Sequence, residues 1–275
     1  LSGVPKVLSI AGTDPSGGAG IQGDLKTFSA LGAYGMTVVT ALVAQTTTGV
    51  TGIHEVPAAF VTSQLDTLLT DVPADAVKIG MLGDAALIKA VAAALDTYRP
   101  PYVVLDPVMV AKSGDRLLPA DAVTALREEL LPRADLITPN LPEAADLLGE
   151  PPAETLSEMH AQALRLRALG ARQVLLKGGH LDGDTCVDVL ATPDGSIELS
   201  APRVATRNTH GTGCTLSSAI AALRPRHDDW PDAVRAAKDY LTEALRAADT
   251  LGVGHGHGPV HHFHAVWGKD ADVLR

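Results

Sequence analysis

The stretch NTHGTGCTLSSAI, residues 208–220, sets Gly211 and Gly213 on either side of Thr212 and places Cys214 where an apolar helix begins. Unpaired N–H groups and the dipole at a helix N-terminus favour negative charge, so this turn predicts a phosphate cradle. A thiol at such an end is drawn toward ionisation, which makes Cys214 a candidate proton acceptor. In TPNLPEAADLL, Asn140 and Glu143 stand three residues apart just after a β-rich run. That spacing lets an amide and a carboxylate hold waters around a hard cation, and it equally suits a helix cap. LKGGH puts Lys177 before two glycines, where backbone can close on a polyphosphate. Glycine turn, amide, carboxylate and ammonium together suggest a magnesium nucleotide.

These groups need a frame. Short apolar runs at 7–12, 103–108, 136–140 and 174–179 each end in Gly, Pro, Asp or Asn. Helical periodicity lies between them, with Phe60, Val61, Leu65, Leu68, Leu69 and Val72 on one face, and Val123, Leu126 and Leu130 on another. Strand and helix in alternation predict an α/β fold, a mostly parallel sheet with helices on both faces. Ligands gather beyond the carboxyl ends of strands in such sheets. Asp14, Asp106, Asn140 and Lys177 all follow the apolar part of a run.

The chain has 275 residues, 46% hydrophobic and 20% charged, enough for a sizeable core. No linker or internal repeat divides it, so a single domain over 1–275 is expected. A formal net charge of -10 argues against nucleic acid as a partner. No apolar run approaches a membrane span, and no secretory leader is expected. With only two cysteines, Cys186 and Cys214, a cytoplasmic location is expected.

The segments AGTDPSGGAGIQGDLKTFSALGAYG, ALVAQTTTGV, KIGML, LDPVMVAKSGDRLL, LITPNLPEAADLL, LLKGGH, NTHGTGCTLS and GPVHHFHAVW, in order from about Lys6 to Trp267, closely resemble the bacterial hydroxymethylpyrimidine/phosphomethylpyrimidine kinases of thiamine biosynthesis. These are ribokinase-like enzymes. The resemblance implies an ATP- and magnesium-dependent kinase that acts twice. It would first phosphorylate 4-amino-5-hydroxymethyl-2-methylpyrimidine and then convert that monophosphate to the diphosphate. It maps the pyrimidine pocket onto Gly12, Ala19, Asp24, Val43, Gln45, Met81 and Val108. The phosphate turn falls on Gly211, Thr212, Gly213 and Cys214, the magnesium side on Asp106, Asn140 and Glu143, and the nucleotide-side lysine on Lys177. A homodimer is expected.

The residue chemistry agrees with that map. The amide of Gln45 offers one acceptor and two donors, which suit the ring nitrogen and exocyclic amine of an aminopyrimidine; it equally suits tying down a loop. Asp24 either begins the helix through Leu25, Phe28 and Leu31 or accepts a hydrogen bond from substrate. Many ribokinase-like sugar kinases carry aspartate where this chain has Cys214. A fixed carboxylate would repel the anionic acceptor of a second transfer, whereas a neutral thiol would admit it. The loop AKSGDRLL, 111–118, with Lys112, Ser113, Gly114 and Asp115, suits a flap over the site. GHGHGPVHHFH holds five of the ten histidines, and packing or a subunit contact suits it better than zinc. The two rival readings are a pyridoxal kinase of the same superfamily and a non-catalytic pyrimidine sensor.

Overall fold

The computed structural model describes residues 3–109, 118–179, 181 and 183–267. The expected flap therefore lies outside the described residues apart from Leu118. In chain order the elements are β1 (Lys6–Ala11), α1 (Gly20–Ala30), β2 (Tyr34–Val39), β3 (Ala41–Thr46), β4 (Gly49–Glu55), α2 (Ala58–Asp71), β5 (Ala76–Ile79), α3 (Ala85–Tyr98) and β6 (Val103–Leu105). They continue with α4 (Ala120–Ala125), β7 (Leu136–Ile137), α5 (Leu141–Leu148), α6 (Leu156–Ala168), β8 (Val174–Leu176), β9 (Thr185–Thr192), β10 (Gly195–Pro202), α7 (Thr212–Leu223) and α8 (Trp230–Arg246).

All four apolar runs became strands of one sheet, with β6, β7 and β8 side by side and β5 between β6 and β1. One eight-stranded sheet has the order β10-β9-β8-β7-β6-β5-β1-β2. It is parallel from β2 to β8, while β9 and β10 form an antiparallel hairpin on its far edge. β5, β6 and β8 are buried at every position, as strands covered on both faces must be. Strand alternation divides the core in two. Leu8, Ile10, Val77 and Ile79 meet helices α2 to α6 on one face, and Val7 and Ala76 meet Phe28 of α1, Leu216 and Ile220 of α7 and Leu241 of α8 on the other.

The expected faces hold with one correction. Val61, Leu65 and Leu69 are the buried side of α2, but Phe60 is 61% exposed, because it precedes Val61 by one helical step of about 100° and turns off the sheet. Val123, Leu126 and Leu130 are buried across α4 and the π-helical turn Leu126–Leu130 that extends it. β3 and β4 stand apart as a two-stranded antiparallel sheet, bulged between Ala44 and Gln45. Among the described residues no helix is long and apolar enough to cross a membrane.

Candidate active site

A cleft of about 670 Å³ opens at the carboxyl ends of the parallel strands, where Asp14, Asp106, Asn140 and Lys177 all line it. The glycine turn forms its middle. Gly211 has φ +78° and hands the chain to α7, whose first N–H groups receive no side-chain cap. A Cβ at Gly211 would lie 1.8 Å from the Gly18 carbonyl oxygen, so only glycine fits where the two loops meet. A Cβ at Gly213 would stand 3.3 Å from Lys177 Nζ and 3.7 Å from Asp106 Oδ2, which places the turn directly against the ionic pair.

That pair forms the nucleotide side. Lys177 Nζ donates to Asp106 Oδ1 at 3.2 Å, and Thr138 Oγ1 and Ser217 Oγ donate to the same carboxylate at 3.0 and 3.3 Å. Burial pushes the Asp106 carboxyl up, but the ammonium groups of Lys177 and Lys78 outweigh it and hold the group below its usual range. Asn140 and Glu143 make the capping box of α5: Glu143 N–H donates to Asn140 Oδ1 at 2.9 Å and Asn140 N–H to Glu143 Oε2 at 2.8 Å. The cap reading is therefore realised, and both residues also line the cleft. Burial raises the Glu143 carboxyl against the pull of Lys177, and with the Asp106 charge nearby it reaches about 7.

The other end is flat and apolar. Met81, Val43 and Gly12 are in contact, since a Cβ on Gly12 would lie 2.6 Å from Met81 Cε and 3.7 Å from Val43 Cγ2. Ala19, Val50 and Val108 continue the wall. Val43 and Gln45 stand two residues apart on β3 and both line the cleft. Among the described residues the Gln45 amide has no hydrogen-bond partner, so it ties down no loop and its edge stays available.

Two expectations are corrected. Asp24 neither caps α1 nor lines the cleft: the helix begins four residues earlier at Gly20, and the side chain is fully buried against Lys78 and two serines. Cys214, the third residue of α7, is partly buried, and its thiol is not drawn toward neutrality. Burial raises it against the ammonium of Lys78, the Asp24 and Asp106 carboxylates add to the rise, and it reaches about 11. The helix end loses to desolvation here.

Sequence reasoning gave Asp14 a place without a task. Its carboxylate accepts from Ser16 N–H and Oγ at 2.9 and 2.7 Å, from Gly18 and Ala19 N–H at 3.1 and 2.7 Å, and pairs with His210 Nε2 at 2.7 Å. It thus folds the loop before α1 and fastens it to the glycine turn. Burial pushes this carboxyl up, but the bonds from His210 and Ser16 outweigh it and hold it at about 2. The slot of Ala201, Pro202, Val204, Leu241 and Leu245 at the nucleotide end was also missed. Helical spacing gives Leu241 and Leu245 a common face but not a cavity. The C-terminal histidines pack: His261 N–H donates to Ala244 O, His262 Nε2 lies 3.1 Å from Thr215 Oγ1, and Tyr240 donates to His262 O at 2.6 Å.

A family model described as phosphomethylpyrimidine kinase matches residues 14–261. The hydroxymethylpyrimidine/phosphomethylpyrimidine kinase of Escherichia coli K12 is 59% identical over 260 residues, covering 94% of this chain and 98% of the relative. The pyridoxal kinase of Staphylococcus aureus in complex with ADP superposes with a TM-score of 0.89 at 34% identity, covering 96% of each chain. A phosphomethylpyrimidine kinase from Clostridium difficile 630 gives 0.77 at 41% identity over 88% of this chain and 99% of its own. A ribokinase-like sheet, a glycine turn at its carboxyl edge and a match over nearly the whole length agree: the chain belongs to the phosphomethylpyrimidine kinase family.

Proposed function

We propose that this protein transfers phosphoryl groups from ATP, with magnesium, first to 4-amino-5-hydroxymethyl-2-methylpyrimidine and then to the resulting monophosphate, giving the diphosphate for thiamine biosynthesis. One observation carries the reading. A single cleft holds a flat apolar wall with an unpartnered amide at one end, an ion-paired lysine and an apolar slot at the other, and an uncapped helix N-terminus between them. That order is what in-line transfer between a ring-borne acceptor and a nucleotide needs.

The donor set fits both absent groups. The N–H groups at the start of α7, at Gly213 and Cys214, with the ammonium of Lys177 would hold phosphates, and the slot from Ala201 to Leu245 would take the base. The carboxylates of Asp106 and Glu143 would hold magnesium through its waters, as hard oxygen donors do; when bound, the ion neutralises charge on the transferred group. Lys177 and the α7 amides orient and stabilise charge on the transferred group. Gln45 fixes the ring edge, which sets the acceptor's approach. The Cys214 thiol stays neutral between them and leaves room for an anionic acceptor.

The chain is read as one kinase domain, because both cores lie on the two faces of the same sheet. Leu42, 52% exposed on the face of the β3–β4 sheet opposite Val43, suits a contact between two copies, which supports a homodimer. Two unpaired cysteines suit a reducing compartment such as the cytoplasm. The test is phosphorus NMR of products from MgATP and the hydroxymethylpyrimidine. A diphosphate supports the proposal. A product that stops at the monophosphate, with pyridoxal turned over in preference, returns the protein to the pyridoxal kinases it superposes on, and pyrimidine binding without turnover makes it a sensor.

A further inference from the structure

The sheet face beneath α1 and α7 is largely apolar, yet it buries an ion pair deep beneath the two helices. Strand alternation turns Ser9 and Lys78 to that face together with Val7 and Ala76, and Ser9 and Lys78 are register partners across β1 and β5. Lys78 Nζ donates to Asp24 Oδ1 and Oδ2, both at 2.9 Å, with both side chains at 0% exposure. Ser9 Oγ donates to Asp24 Oδ2 at 2.5 Å and Ser218 Oγ to Oδ1 at 2.7 Å. The carboxylate thus has two donors on each oxygen. Gly80 makes room for the ammonium, since a Cβ there would lie 2.9 Å from Nζ.

A buried ion pair is a poor source of stability, because an apolar pair of the same volume often serves as well. The partners suggest another use. Ser218 lies one helical turn beyond Cys214 on α7. Beside it, Ser217 Oγ donates to Asp106 Oδ2, and Thr215 Oγ1 meets His262 Nε2. Three hydroxyls in an otherwise Ala-, Leu- and Ile-rich helix bind its phosphate end to three different walls.

We propose that Lys78 and Asp24 are positioning residues for phosphoryl transfer: through Ser218 they fix the depth and rotation of the first turn of α7, and so aim the N–H groups of Gly213 and Cys214. Lys78 also precedes Met81 by three residues, so one buried pair links the acceptor wall to the turn that receives the transferred group. This rests on the kinase reading of the cleft.

Ser218→Ala and Ser9→Ala provide the test. Each removes one hydroxyl from the same carboxylate, leaving it three hydrogen bonds, but only Ser218 belongs to α7. The two variants should lose similar amounts of melting temperature. Misplacing the turn should lower kcat of Ser218→Ala by about tenfold in both transfers, with KM for ATP and for the pyrimidine nearly unchanged. Ser9→Ala should keep its kcat. Equal kcat in the two variants, whether both unchanged or both reduced, overturns the positioning role and leaves a structural pair. A wild-type protein without either transfer overturns the kinase reading itself, whereas an active wild type with matched variants overturns this proposal alone.

Discussion

Replacing Cys214 with aspartate puts a carboxylate at the third residue of α7, between the phosphate turn and the pyrimidine wall. The acceptor of the first transfer is neutral, and that of the second carries up to two negative charges, its second pKa being about 6. At about 4 Å, each pair of like charges costs about 1 kcal/mol in a water-like medium and about 4 kcal/mol near a protein surface. The ammonium of Lys78 offsets part of the new charge, as it favours the thiolate over the thiol, so the lower part of that range applies. Cys214→Asp should therefore slow the second transfer at least about fivefold relative to the first. The first should be maintained or faster, since a carboxylate accepts a proton that a thiol raised to about 11 does not. Cys214→Ala is the control: with no charge added, the ratio of the two rates should stay within about twofold of wild type, and the first transfer should slow by less than the roughly hundredfold expected for losing a general base. Both half-reactions would be timed at saturating ATP and fixed pH by quenched-flow chromatography. Parallel losses in the two steps of Cys214→Asp would refute the charge reasoning and leave the cysteine a packing residue of the turn.

Gln45→Ala should weaken pyrimidine binding by about 1 to 3 kcal/mol while ATP affinity is preserved; calorimetry with each ligand checks this, and equal loss for both removes Gln45 from the ring edge. Glu143→Gln keeps an oxygen for the Asn140 N–H but loses the charge, so turnover should fall most at low magnesium and partly recover in excess, and a deficit indifferent to magnesium would leave only the capping box. Asp14→Asn tests linkage. A carboxyl held at about 2 in the folded state contributes on the order of 2 kcal/mol above the unfolded value of about 4, and that contribution is lost as pH falls toward 2. The stability gap between wild type and Asp14→Asn in urea titrations should be widest at pH 6 and should close between pH 4 and pH 2; a constant gap shows that the ionised carboxylate is not what matters.

The cleft was legible in the sequence wherever a residue's local surroundings decide its position. Gly211, Asn140, Glu143 and Lys177 follow strand ends or open helices, and strand ends in a parallel sheet converge on one edge. Asp24 was not legible, because its partners Lys78 and Ser218 lie 54 and 194 residues away and nothing local distinguishes a buried pair from a ligand contact. Cys214 failed for a related reason: the helix end is visible in sequence, but the desolvation that overrides it comes from the surrounding fold. The β9–β10 hairpin escaped because periodicity does not state strand direction.

Gly211 lies so close to the Gly18 carbonyl that it tolerates no side chain, a Cβ on Gly18 would strike the neighbouring His210, and Asp14 hydrogen-bonds His210 across the same two segments. The loop preceding α1 and the turn preceding α7, nearly two hundred residues apart, are consequently one inheritable part. A chimera built from two related kinases should function only when both segments come from the same parent. Libraries that randomise the acceptor loop alone will discard most of their members through collisions with a turn they never altered.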